Sequence, residues 1–97
     1  MAGVALIYLS QYQAENKDIE QSLASLDKAK TIYDELFDPG HANHGDLMVY
    51  RAIALNAGGN QKAAAAICAK GLAIMEKSAT GDPAWVAENK EICTNLN

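Results

Sequence analysis

Apolar positions along the chain recur at spacings of three and four, and polar breaks divide these runs into five segments. Ile19, Leu23, Leu26, Ala29, Ile32, Tyr33, Leu36 and Phe37 form one stripe and predict a helix near 18–37, with Asp18 as its N-cap. A helix over about 3–15 precedes it. One over about 45–57 follows, closed by Gly58-Gly59 as a C-terminal signal. A fourth, over about 60–79, opens at Asn60 and carries Ile67, Cys68, Gly71, Leu72, Ile74 and Met75. Pro83, suited to a first helical turn, starts a fifth with Trp85, Val86, Ile92, Cys93 and Leu96. Pro39-Gly40 and Gly81-Asp82-Pro83 are further breaks, and no segment sustains a period-two alternation. The chain reads as all-α.

A single offset relates the two halves. Leu6 and Met48, Tyr8 and Tyr50, Leu26 and Cys68, Ala29 and Gly71, Ile32 and Ile74, and Tyr33 and Met75 each lie 42 residues apart. The same shift carries Gly3 to Gly45 and on to Ala87. Small residues return with it at Ser10, Ala29, Ala52, Ala64 and Gly71, where helices packed about 8–10 Å apart need little bulk. The expected architecture is one domain over 1–97, a short antiparallel array of helix hairpins. Repeat one covers about 3–42, repeat two about 45–84, and a closing helix about 83–96.

This unit resembles a tetratricopeptide repeat, in the longer variety seen in kinesin light chains. The second unit carries the resemblance through Ala52, Gly59, Ala64, the run Gly71-Leu72-Ala73-Ile74-Met75-Glu76-Lys77, and then Gly81, Asp82, Pro83, Val86 and Ala87. The first unit matches through Ser10, Ser22, Ala29, Ile32 and Tyr33. Lys17 stands where the turn glycine of the family belongs, Leu6 and Met48 where a tryptophan does, and Arg51 replaces an apolar residue. The resemblance implies a right-handed superhelix whose first helices line a groove for an extended peptide or partner helix. Carried over by position, the partner-binding residues are Val4, Ile7 and Gln11, then Asp46, Val49 and Ile53, then Glu88, Glu91 and Asn95. Val4, Ile7, Val49 and Ile53 would be apolar anchors with acidic edges beyond. Relatives that clamp an acidic C-terminus use Lys, Arg and Asn along the groove, so an apolar and basic ligand is expected here instead.

Charge narrows the function. Eight Lys+Arg against twelve Asp+Glu leave −4, scattered without a cationic run, which argues against nucleic acid as a partner. No apolar stretch approaches the ~20 residues of a membrane span. Val4 to Leu9 lacks the positive flank of a signal peptide. Two cysteines, Cys68 and Cys93, are too few for a disulfide scaffold. They read as small buried thiols on facing apolar stripes, with pairing left open. The expected setting is the cytoplasm.

His41 and His44, with Asp38 and Asp46 nearby, could suggest a metal site, but a polar inter-helix loop with capping groups is the preferred reading. No phosphate loop, paired catalytic carboxylates or cofactor turn is legible, so neither catalysis nor a cofactor is expected. The function expected is a protein-interaction module. The first helix is apolar on nearly every side through Val4, Leu6, Ile7, Tyr8 and Leu9. That makes a homodimer through this helix, or a fragment of a longer array, the alternative.

Overall fold

The computed structural model describes residues 2–78 and 81–96. It contains five helices, α1 (Ala2–Glu15), α2 (Ile19–Leu36), α3 (Ala42–Ala57), α4 (Gln61–Lys77) and α5 (Pro83–Asn95), and among the described residues no strand. The fold is all-α, as the pattern of apolar positions requires. The part of the fourth expected helix at residue 79 lies outside the described residues.

The two hairpins, α1–α2 and α3–α4, are built alike. Lys17 and Gly59 occupy their turns with φ of 63° and 90°. The following residues, Asp18 and Asn60, share φ near −90° and −95° and ψ of 69°. Lys17 N–H donates to the Ala14 carbonyl at 3.0 Å, as Gly59 N–H does to Asn56 at 3.0 Å. The buried residues of α2 include Ser22, Leu26, Ala29 and Tyr33, and those of α4 are Ala64, Cys68, Gly71 and Met75. The two sets are related by the 42-residue shift.

Within the first hairpin Ser22 Oγ donates to the Ser10 carbonyl at 2.7 Å, so the small polar pair lets α1 and α2 approach while satisfying its hydroxyl. In the second, Gly45 and Gly71 face each other backbone to backbone. A Cβ on Gly71 would stand 2.6 Å from the Gly45 carbonyl oxygen, so only glycine permits this crossing. Leu26, Ala29, Tyr33 and Leu47 centre one core, and Val49, Ala52, Ala64 and Cys68 the other. The hairpins join through α2 and α3, where the Arg51 guanidinium meets Asp27 at 2.8 Å. Arg51 is thus half-buried and paired.

Two expectations are corrected. The third helix starts at Ala42 rather than 45, because His41 caps it and accepts the Asn43 N–H at 3.0 Å through Nδ1. The cysteines are not thiols: Cys68 of α4 and Cys93 of α5 form a disulfide, with Cα atoms 5.9 Å apart. The packing of α5 against α4 supplies that approach, which residue spacing alone does not reveal.

A candidate binding cleft between α1, α3 and α5

The first helices of the successive units lie side by side, α1 against α3 and α3 against α5. Between them opens a cleft of about 260 Å³. Its floor holds Ile7 and Tyr33, which are 3% and 1% exposed. Half-buried Tyr50 and Trp85 form walls, and Tyr8, Val4 and Glu88 stand at the rim. Asn43 and Asp46 line it from α3.

Helical spacing explains this assembly. Asn43, Asp46 and Tyr50 fall at i, i+3 and i+7 of α3, and Trp85 and Glu88 at i and i+3 of α5. Asp82 caps α5 by accepting the Ala84 N–H at 2.8 Å, which fixes where Trp85 emerges from the first turn. The disulfide then holds the far end of α5 against α4. Tyr33 reaches the cleft from α2 because its ring lies over Gly3, where a Cβ would obstruct it. Phe37 packs edge-on to the same ring at 5.4 Å between centroids.

The electrostatics of the cleft converge on Asp46. Burial pushes its carboxyl up to about 6, with the Glu88 charge adding to the shift, while hydrogen bonds from Asn89 and Trp85 oppose it. Asn89 is itself buried and donates through Nδ2 to the Trp85 carbonyl at 3.0 Å. Its Oδ1 is buried without a hydrogen-bond partner. Burial raises Tyr50 to about 12, helped by the charges of Asp46, Tyr8 and Glu88. Tyr33 shifts upward for the same reasons, burial first and then Asp46 and Tyr8. These three groups border one small space of negative potential.

The structure brings together four of the nine positions read from sequence, Val4, Ile7, Asp46 and Glu88. Val49 is corrected: it is fully buried between α3 and α4 and cannot touch a partner. Ile53 packs half-buried against the first core instead of serving as an anchor. Gln11, Glu91 and Asn95 lie outside the cleft, Gln11 half-buried and the other two exposed. Ile7 is floor rather than a projecting anchor, so a charge there would unfold the hairpin before it reported on binding. The aromatic residues Tyr8, Tyr33, Tyr50 and Trp85 are absent from the sequence-based set. Tyr8 and Tyr50, one repeat apart, were the visible signal.

The histidines have structural roles. His41 caps α3 and stacks on Phe37 at 4.2 Å between centroids. His44 is buried, with Nε2 3.3 Å from the Phe37 carbonyl and Nδ1 3.9 Å from Asp34. Asp46 faces the opposite side, toward Trp85 and Asn89. No helix is long and apolar enough to cross a membrane among the described residues. No family model, curated protein or solved structure matches the chain.

Proposed function

We propose that the protein is a non-catalytic interaction module whose cleft between α1, α3 and α5 receives a peptide or partner helix carrying apolar and basic residues. The observation that carries this reading is the half-buried Asp46 facing Glu88 across aromatic walls. Negative potential in a partly desolvated cleft favours a positive ligand and repels an acidic one. Kinship with the tetratricopeptide array goes with this reading, supported by the matching turns and buried faces of the two hairpins.

Fluorescence anisotropy with two labelled amphipathic peptides tests it, one of leucine and lysine and one of leucine and glutamate. The basic peptide should bind at least about tenfold more tightly. Equal affinity or an acidic preference overturns the reading.

A second reading has its own observation. Tyr8, Leu9 and Tyr12 are 63%, 44% and 66% exposed on one side of α1. Their counterparts 42 residues later are Tyr50, Arg51 and Ala54, and α2 covers that side of α3 through Asp27 and the first core. The α1 side is therefore shaped for another helix, which supports self-association or a longer array. Light scattering across a concentration series decides: a dimer that Leu9→Lys dissociates favours it, and a monomer throughout removes the homodimer.

The Cys68–Cys93 disulfide supports an oxidising compartment over the cytoplasm that the cysteine count suggested.

A further inference from the structure

The cleft has a composition that a generic peptide groove does not need. Four aromatic rings, Tyr8, Tyr33, Tyr50 and Trp85, reach it from four different helices. Aromatic rings carry negative potential on their faces, and rings gathered around one space suit a cation. Asp46 and Glu88 place two carboxylates in the same space, one half-buried and one at the rim. A carboxylate taken out of water normally keeps a cationic partner. Among the described residues no lysine, arginine or histidine forms an ion pair with Asp46. Its polar neighbours there, the Trp85 indole and the Asn89 amide, are neutral.

Size restricts the ligand. At about 260 Å³ the cleft falls below the ~300–1,000 Å³ of pockets for drug-sized ligands, so it suits a headgroup rather than a cofactor.

We propose that Tyr8, Tyr50 and Trp85, above the buried Tyr33 floor, enclose a compact alkylammonium cation, with Asp46 and Glu88 as its counter-charges. Two sources share this chemistry, the lysine head of a partner protein and a free amine or quaternary ammonium. The partner's lysine is the source assigned here, an assignment that rests on the interaction reading above. The cage itself does not depend on it.

Calorimetric titrations at pH 7.5 separate these points. The probes are tetramethylammonium chloride, butylammonium chloride, the neutral isostere 3,3-dimethylbutanol, and the leucine–lysine peptide with its lysines free or acetylated. Both ammonium salts should bind saturably and the alcohol at least about tenfold more weakly, since cation–π attraction and both carboxylates act only on charge. Tyr8→Ala and Glu88→Gln, both at exposed rim positions, should each weaken the ammonium salts about threefold to tenfold with an unchanged circular dichroism spectrum. Asp46→Asn should weaken them at least about tenfold. Glu20→Gln, on the exposed start of α2, should change nothing.

Equal binding of the alcohol, or absence of saturable binding by both salts, overturns the cage. Peptide binding indifferent to acetylation and to Glu88→Gln overturns the assignment to a partner's lysine, and the cage then stands or falls on the two ammonium salts. Ammonium binding without peptide binding supports the cage, overturns the assignment to a partner's lysine, and leaves the free cation as ligand.

Discussion

Lys17 and Gly59 share a left-handed backbone conformation one repeat apart, with φ of 63° and 90°. The turn geometry is therefore common to both hairpins even though only one has glycine there. Lys17 carries the cost of a Cβ in that region, and its Nζ lies 3.4 Å from the Ala57 carbonyl at the C-terminal end of α3. An exposed contact of that length offsets little. Lys17→Gly should thus raise stability by about 0.5–1 kcal/mol, and Gly59→Ala should lower it by about 1 kcal/mol. Urea denaturation of the two variants checks both signs.

The α3–α4 crossing should be the least tolerant place in the chain. A Cβ on either Gly45 or Gly71 would meet the other's carbonyl oxygen, a backbone atom that cannot rotate away. Gly71→Ala should cost on the order of 2 kcal/mol by forcing the helices apart, and Gly71→Val more. Thermal unfolding should show the graded loss.

The disulfide links stability to the site. Its cysteines are 25 residues apart, and closing a loop of that size is worth about 3 kcal/mol in the chain-entropy account. Reduction, or Cys68→Ala with Cys93→Ala, should lower the unfolding free energy by about 2–4 kcal/mol. It should also loosen α5, which brings Trp85, Glu88 and Asn89 to Asp46. Hydrogen exchange should accelerate in α5 before α1 or α2.

Asp46 gives the fold a specific pH dependence. Its carboxyl shifts from 3.8 to about 6 on folding, so the folded state holds this proton more tightly than the unfolded state. Its contribution is most favourable below 3.8, falls as pH rises through about 6, and is then constant. The loss is on the order of 3 kcal/mol. Asp46→Asn should remove that slope and stabilise the protein at pH 7.5. Asparagine keeps the shape and an acceptor oxygen while removing the charge that burial disfavours. Chemical denaturation at pH 4.5 and 7.5 checks this. Stabilisation accompanied by loss of cation binding would mark Asp46 as a residue kept for the ligand.

The helices and their repeat were legible because each hairpin buries a stripe that returns at one offset. The start of α3 was less so, since His41 caps through a ring nitrogen where sequence reading looks for a hydroxyl or carboxylate. Pairing of Cys68 with Cys93 depends on the register of α5 along α4, which no local pattern records. At the site, the offset linking Val4, Asp46 and Glu88 found residues that do share the cleft. Extending it one turn to Val49 and Ile53 failed, because α3 is covered by α2 on one side and α4 on another. Only the side bearing Asn43, Asp46 and Tyr50 meets the cleft. The tyrosines were hidden by their regularity: at helical spacing an aromatic residue reads as core, and Tyr33 is both core and cleft floor.

Trp85 is the single tryptophan and lines the cleft beside Asp46, so one indole resonance reports directly on the cleft. The decisive measurement is a proton–nitrogen correlation spectrum recorded while the leucine–lysine peptide is titrated at pH 7.5. A saturable shift of the indole N–H, absent with the leucine–glutamate peptide and abolished by Asp46→Asn, is the predicted result. An indole resonance unmoved by saturating basic peptide, or moved equally by the acidic one, would contradict the assignment of this cleft as the partner site.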